Sequence, residues 1–266
     1  MHKTHWIVVP LLLAALPALA QRYPDRPVRI IVPVPAGGTP DVVARTVTPG
    51  MSQILGQQMV VDNRGGAGGL IGAETVARAA ADGYTLFLSS PGAITILPHL
   101  QKKIVYDPIR DFTPIGLISS GPFLLIGHPS VPARTLKDLL ALAKSQPGKL
   151  NYASAGNGTA NHLAMESFKY MAGINLTHVP YKGAPQAVTD LIGGQMNLMF
   201  NSIAPVVQHI RAERLRLYGV ASLKRSPQLP DAPTLAESGV PGFEAASWAG
   251  MLAPARTPKP IIAALN

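Results

Sequence analysis

The feature that most constrains the fold of this 266-residue chain is an alternation of short apolar runs with longer amphipathic stretches. The short runs are rich in β-branched residues, as in residues 28–34, and the stretches between them place apolar residues at helical spacing. Short, fully apolar strands separated by helices are typical of a parallel sheet covered by helices. We therefore predict an α/β fold whose ligand-binding loops lie at the carboxyl ends of the strands.

The order of these segments predicts two lobes, and the chain is long enough for each lobe to bury its own core. Two apolar runs, at 113–118 and 123–126, have no helix between them. We interpret them as the passage from the first lobe to the second, and residues 243–252 as a strand that rejoins the first lobe. We predict lobe 1 over residues 21–120, lobe 2 over 121–222, and a return of residues 223–266 to lobe 1.

The N-terminal residues predict export. A short basic start, an apolar run and the sequence Ala18-Leu19-Ala20 are typical of a signal peptide over residues 1–20 that is cleaved after Ala20. The alternative is a membrane anchor, but Pro10 interrupts the run, which is shorter than the roughly 20 apolar residues of a span. We expect a periplasmic protein.

Two further features of the composition bear on the class of protein. The chain has no cysteine, which excludes disulfides, a thiol nucleophile and thiolate metal ligands. The final helical pattern, from Pro258, stops without a C-cap, so we expect that the sequence is truncated.

The charge balance is basic, with a formal net charge of +9. A positive field raises the encounter rate with anions, although the charge can equally serve solubility alone. The basic residues are scattered, with no Lys/Arg-rich run interleaved with aromatic residues, so we expect no nucleic-acid partner.

Four loops at predicted strand ends carry small and hydroxyl residues, at 35–39, 89–92, 154–159 and 201–202. Main-chain N–H groups at helix N-termini bind anions, and glycines such as Gly37 and Gly38 let the backbone approach a ligand. A plain tight turn is the alternative for this glycine pair. We interpret Asp41 as a helix cap or structural hydrogen-bond acceptor, rather than as a general base.

Motifs for catalysis, dinucleotides or metals are missing from the sequence. The segment from Gly66 to Gly69 fails the dinucleotide fingerprint, because Ile71 stands where the third glycine should be. We interpret it as a turn that fixes helix packing, with Arg64 paired internally. His162 has no recognisable nucleophile or orienting acid, so we expect it at most to support the loop from behind. We predict no cofactor, no metal and no catalytic residue.

Ordered motifs along residues 23–266 resemble the periplasmic receptors of tripartite tricarboxylate transporters, the Bug family. The segments that carry this resemblance are Tyr23-Pro24, Pro35-Ala36-Gly37-Gly38 with Asp41, Asn63-Arg64 with Gly66-Ala67-Gly68-Gly69, Asp82-Gly83-Tyr84, Tyr106-Asp107-Pro108, residues 147–154, Gly156-Asn157-Gly158-Thr159, residues 178–183, Met199-Phe200 with Ser202, and Lys224-Arg225-Ser226.

The resemblance implies a two-lobed periplasmic binding protein of the Venus flytrap kind, type II, with two crossing strands between the lobes. It implies a small organic carboxylate as ligand, membrane transporter subunits as partners, and a monomer. The ligand-binding residues that we expect from motif and loop position are Pro35, Ala36, Gly37, Gly38, Ser89, Ser90, Ser154, Asn157, Thr159, Lys182, Asn201 and Ser202.

The sequence departs from the family pattern at three places. Val34 replaces an aromatic residue, Asn201 stands where an acid is frequent, and the last helices are missing. The first two departures bear on ligand choice, which the sequence leaves open among citrate, other di- and tricarboxylates, aromatic acids, acidic amino acids and nicotinate-like acids. Two other functions stay open. They are a ligand-presenting partner of a two-component sensor kinase, and a hydrolase or lyase that uses Ser154 or His162.

Overall fold

The computed structural model describes residues 23–266, so the predicted signal peptide lies outside the described residues. The elements, in chain order, are β1 (Val28–Val32), α1 (Thr39–Leu55), β2 (Met59–Asn63), α2 (Leu70–Ala77), β3 (Thr85–Ser89), α3 (Leu97–Leu100), β4 (Phe112–Gly127), α4 (Leu136–Ser145), β5 (Asn151–Ser154), α5 (Ala160–Ala172), β6 (Thr177–Pro180), α6 (Ala184–Ile192), β7 (Leu198–Ser202), α7 (Ile203–Arg211), β8 (Arg216–Val220), β9 (Ala246–Pro254) and α8 (Lys259–Leu265).

Lobe 1 is built on strands in the order β2-β1-β3-β9-β4. The first three strands are parallel, and β9 runs antiparallel to both β3 and β4. The sequence of β1 is apolar except for Arg29, because both faces of this strand are covered. Ile30 joins a core with Ala44 of α1, whereas Ile31 joins a second core with Val76 of α2.

Lobe 2 repeats this arrangement with the order β6-β5-β7-β4-β8. Strands β5, β6 and β7 are parallel, and β4 runs antiparallel to β7 and β8. One face packs against α4 and α5 around Phe168 and Phe200, and the other packs against α6 and α7 around Leu191 and Val206. Each lobe therefore has a core on both sides of its strands.

Two strands join the lobes, as the sequence predicts. The first half of the 16-residue strand β4 pairs with β9 in lobe 1, and its second half pairs with β7 and β8 in lobe 2. The returning chain runs beside it, where Phe123 N–H donates to Ala245 O over 2.9 Å. The two apolar runs predicted here form one strand. Pro114 and Pro122 fit within it because β4 is an edge strand in lobe 1 and needs fewer N–H donors there.

The structure corrects two predictions about the fold. The sheet is mixed rather than parallel, because the crossing strands that carry the chain out of lobe 1 and back run antiparallel to their neighbours. The sequence Pro49-Gly50 predicts a kink or break in the helix after β1, but α1 continues from Thr39 to Leu55. Both Pro49 and Arg45 are exposed, so water can hydrate the carbonyl group that loses its donor. The residue boundaries predicted for the lobes stay predictions.

Candidate functional site

A cavity of about 840 Å³ lies between the two lobes. Its wall comes from the loops after β1, β2, β3, β5, β6 and β7, and from the two crossing strands. The residues that line it are Pro33, Val34, Pro35, Gly38, Thr39, Pro40, Gly65, Gly66, Ala67, Gly68, Gly69, Ser90, Gly92, Gln101, Phe123, Ala155, Gly156, Asn157, Thr159, Ala160, Asn161, Pro180, Tyr181, Lys182, Gly183, Ala184, Asn201, Ser202 and Ser247.

The lobe 1 loop that follows β1 is held by the buried carboxylate of Asp41. This carboxylate accepts hydrogen bonds from Gly37 N (2.8 Å), from Asn63 Nδ2 (2.9 Å) and from Arg45 Nε (3.1 Å). Gly37 has a φ of +82°, a conformation that favours glycine. Asp41 is therefore a structural acceptor, as predicted. It fixes the turn before α1 rather than capping the helix, since the N-cap is Gly38.

The charge state of Asp41 follows from these contacts. Burial alone would raise its pKa, but hydrogen bonds from Arg45, Gly37 and Asn63, together with the Arg45 charge, hold the pKa below the ordinary 3.8. The turn in lobe 1 is thus held by an ionised group at neutral pH.

The lobe 2 loop that follows β5 is held by neutral groups. Thr159 Oγ1 lies 2.6 Å from Gly156 O and 2.7 Å from Asn161 Oδ1. Asn161 is also buried and donates through Nδ2 to Phe200 O over 3.3 Å. Thr159 occupies the N-cap position of α5 without a side-chain cap bond. Its single proton is engaged inside the loop, so a ligand would have to compete with a loop oxygen for it.

The N-termini of α1 and α5 both lie at the cavity. Thr39 and Ala160 are the first residues of α1 and α5 and both line the wall. Within residues 23–266, their N–H groups have no acceptor. Free N–H groups and the partial positive charge of a helix N-terminus favour an anion at this position.

Eight of the twelve residues predicted to bind ligand line the cavity, and four do not. Those in the wall are Pro35, Gly38, Ser90, Asn157, Thr159, Lys182, Asn201 and Ser202. Ala36 and Gly37 are exposed and do not line the cavity. Ser89 and Ser154 are fully buried, and their hydroxyl groups bond within the protein. Ligand contact stays a prediction for all twelve residues.

The segment from Gly66 to Gly69 does more than the sequence predicts. It lines the cavity as well as packing against its own lobe. A Cβ added at Gly68 would lie 3.1 Å from Asn157 O of lobe 2, and one added at Gly72 would lie 2.9 Å from Pro33 Cβ. Gly66, Gly68 and Gly69 each have a positive φ, a backbone conformation that favours glycine and lets the main chain form the wall here. Arg64 pairs internally with Asp62 over 3.1 Å, as predicted.

Several other residues of the wall were not predicted from the sequence. Phe123 and Ser247 come from the crossing strands, where no loop motif marks them. Gln101 follows the short helix α3, and Tyr181 adjoins the predicted Lys182. The Tyr181 hydroxyl donates to Asp190 over 2.7 Å, and burial followed by this contact raises the pKa of Tyr181 to about 12.

The two lobes touch around the mouth of the cavity. A Cβ added at Gly183 of lobe 2 would lie 2.7 Å from Pro35 Cγ of lobe 1. A Cβ added at Gly158 would lie 2.8 Å from Leu97 Cδ2. The structure therefore shows the lobes closed against each other, with glycines at the contacts.

The wall suits a negatively charged ligand. In the part of the chain that the structure describes, Lys182 is its one charged residue and no Asp or Glu lines it.

Ser154 Oγ and His178 Nε2 are 2.7 Å apart, a spacing seen in nucleophilic catalysis. Ser154 is fully buried, however, so its hydroxyl does not face the cavity. No group of three potential metal ligands is found among the described residues.

The sequence matches a family model described as "Tripartite tricarboxylate transporter family receptor" over residues 43–266. The chain belongs to this receptor family. The resemblance seen in the motifs is thereby confirmed, and so is the two-lobed binding-protein fold. No helix within residues 23–266 has both the length and the apolar character of a membrane span.

Several relatives of the receptor family are similar along most of their length. Protein BugT of Bordetella pertussis is 39% identical over 253 residues, which are 95% of this chain and 78% of BugT. R. palustris Rpa4515, solved with adipate, is 38% identical with a TM-score of 0.89, and the match covers 91% of this chain and 81% of that one. MatC from Rhodopseudomonas palustris, solved with bound malate, is 36% identical with a TM-score of 0.86, covering 91% and 83%.

Proposed function

We propose that this chain is a periplasmic receptor that closes its two lobes around a small organic carboxylate and delivers it to the membrane subunits of a tripartite tricarboxylate transporter. The observation that carries the proposal is that the N-termini of α1 and α5 both lie at one cavity, with free N–H groups at Thr39 and Ala160. Main-chain amides at helix N-termini can bind a carboxylate without an arginine.

The composition of the wall supports the same ligand class. Serine, threonine, asparagine and glutamine side chains supply further donors, and Lys182 supplies a positive charge. An acidic side chain would repel a carboxylate, and none lies in the wall among the described residues. The adipate and malate held by the two R. palustris relatives belong to the same chemical class.

The twelve residues named from the sequence enter this proposal in two groups. The eight in the wall are proposed to contact ligand directly, and Ala36, Gly37, Ser89 and Ser154 to shape the loops that do so. Export of the mature protein from residue 21 onward, with lobes joined near residues 120 and 222, is part of the same proposal.

Isothermal titration of the purified chain with adipate, malate, citrate and an uncharged control such as adipamide tests the ligand class. We expect at least one acid to bind and the amide to bind at least tenfold more weakly, since it lacks the charge that the helix termini favour. Equal affinity for adipamide and adipate would contradict the proposal. Fractionation of expressing cells, with an intact mass that begins at Gln21, tests the location.

A further inference from the structure

A stacked column of three rings lies behind the lobe 2 loop, in a place that the proposed function leaves unused. Tyr152 of β5 stacks on His178 of β6 with ring centroids 4.7 Å apart, and His178 stacks on His162 of α5 at 4.3 Å. Each histidine contacts the loop at residues 154–159 through one ring nitrogen.

His178 holds the start of the loop through Ser154. Gly156 N–H donates to Ser154 Oγ over 3.1 Å, and this oxygen lies 2.7 Å from His178 Nε2. Since Ser154 is fully buried, its proton needs an acceptor inside the protein, and Nε2 is the nitrogen in reach. His178 Nε2 must therefore be unprotonated.

His162 holds the end of the loop through a hydrogen bond to one of its ring nitrogens. Its Nδ1 accepts the N–H of Gly158 over 3.4 Å. If Nδ1 were protonated, its N–H would face the N–H of Gly158, and this hydrogen bond would be lost. Both rings therefore support the loop only in their neutral form.

The charged groups around the column come from α5. The Tyr152 hydroxyl donates a hydrogen bond to Glu166, and Lys169 Nζ lies 2.7 Å from Glu166 Oε1. Lys169 also lies over the Tyr152 ring, 5.5 Å from its centroid. Lys169 pairs with Glu166, the negative group of this pair, so neither histidine faces an unpaired carboxylate.

The surroundings keep both rings neutral at pH 7. Burial and then the neighbouring His162 lower the pKa of His178 from 6.5 to about 4. Burial lowers the pKa of His162 as well; Glu166 opposes this shift and Lys169 adds to it. The folded protein then binds fewer protons than the unfolded chain between pH 6.5 and about 4, so acid in that window disfavours the column.

We propose that His162 and His178 are positioning residues that hold the 154–159 loop in its ligand-binding shape while both rings are neutral, so that acid loosens the loop and weakens carboxylate binding. The effect on binding rests on the proposed function. The effect on the loop itself does not, because the contacts involve protein atoms alone.

Replacements at each position separate the acceptor from the ring. His178→Gln and His162→Asn keep an acceptor near Nε2 and Nδ1 without titrating, whereas His178→Phe keeps the stacked ring without the acceptor. His209→Gln, on α7, is the matched control. Titration with adipate and malate from pH 7.5 to 4.5 gives the dissociation constants.

We expect His178→Phe to weaken binding about 3- to 10-fold at pH 7.5, the range for a lost hydrogen bond. The double variant His162→Asn/His178→Gln should bind within about threefold of wild type at pH 7.5 and lose less affinity toward pH 4.5. The ratio of the wild-type and double-variant dissociation constants at each pH cancels the effect of protonation of the acids themselves, because the ligand titrates identically in both. Wild-type affinity in His178→Phe, or an unchanged acid loss in the double variant, would overturn the proposal.

Measurements on the ligand-free protein keep this test apart from the proposed function. Amide exchange at Gly156 and Gly158, followed by NMR, should accelerate from pH 7.5 to 5 relative to the intrinsic rate in wild type, but not in the double variant. Nitrogen shifts should show His178 Nε2 unprotonated at pH 7.5 even if His178→Phe fails to fold. If no acid of the titration series, citrate included, binds wild type, the proposed function fails, while the exchange data still decide the role of the histidines.

Discussion

The two lobes share one strand order but hold their ligand loops by different chemistry. The loop after β1 in lobe 1 and the loop after β5 in lobe 2 occupy matching places, each before the helix that faces the cavity. Lobe 1 uses the ionised carboxylate of Asp41, and lobe 2 uses Thr159, Asn161 and a pair of neutral histidines. Topology therefore sets where the loop lies, and local side chains set how it is held.

This difference gives the lobes different responses to acid. The lowered pKa of Asp41 contributes stability that is present above its ordinary pKa of 3.8 and is lost as the pH falls below that value. The lowered pKa of His178 costs stability earlier, as the pH falls from 6.5 to about 4. Lobe 2 should loosen first.

The largest expected effect comes from removing the anchor of the lobe 1 loop. Asp41→Ala leaves Gly37 N–H and Asn63 Nδ2 without their acceptor beside a buried site, which should lower the free energy of unfolding by about 2–4 kcal/mol. The matching change in lobe 2, Asn161→Ala, should cost about 1–2 kcal/mol. Urea denaturation at pH 7 compares the two. Equal losses of unfolding free energy in the two variants would show that the ionised Asp41 contributes no more stability than the neutral Asn161.

The contact between the lobes gives the next effect. Gly183→Ala places a Cβ 2.7 Å from Pro35 Cγ in the closed form, and overpacking of this kind costs about 1–3 kcal/mol. Closure and hence adipate affinity should fall roughly tenfold. Gly173→Ala is the control, because Gly173 also has a positive φ but has no atom near an added Cβ. Both variants should lose stability, and only Gly183→Ala should lose affinity.

A smaller effect is expected from the lobe 2 helix cap. Thr159→Val removes a hydroxyl that bonds within the loop, so it should cost about 1 kcal/mol of stability. Affinity for adipate should fall only a few-fold. Melting curves and calorimetric titration on the same variant separate the two quantities. A loss of affinity above about tenfold would mean that Thr159 donates to the ligand instead.

The smallest effect concerns Lys182, which is exposed at the edge of the cavity in lobe 2. Lys182→Met should slow adipate association about twofold at low salt by weakening the positive field, and the difference should vanish near 1 M salt. Lys224→Met, an exposed change away from the wall, should leave the rate unchanged. Stopped-flow association at two salt concentrations makes the comparison. A salt-independent loss would contradict steering by the positive field and assign the whole effect to the contact of Lys182 with the ligand.

Local patterns were sufficient for the elements and for part of the site. The apolar sequence Ile30-Ile31-Val32 in β1 marks a strand covered on both faces, and the glycines before α1 mark a turn at a strand end. Phe123 and Ser247 could not be found this way, because they reach the cavity only where two strands distant in sequence lie side by side. Ser154 was placed at the right loop, but its burial against His178 depends on β6, which lies 23 residues further along the chain at Thr177.

The sequence by itself determined the alternation of strands and helices, the absence of cysteine chemistry and the loops that carry main-chain donors, because these depend on residue type and short-range spacing. The tertiary structure alone decided which loops meet, that the sheet is mixed, and that Gly183 touches Pro35 and both histidines support one loop. Such contacts join residues far apart in the chain. Their geometry depends on strand pairing and closure of the lobes, which no local pattern encodes.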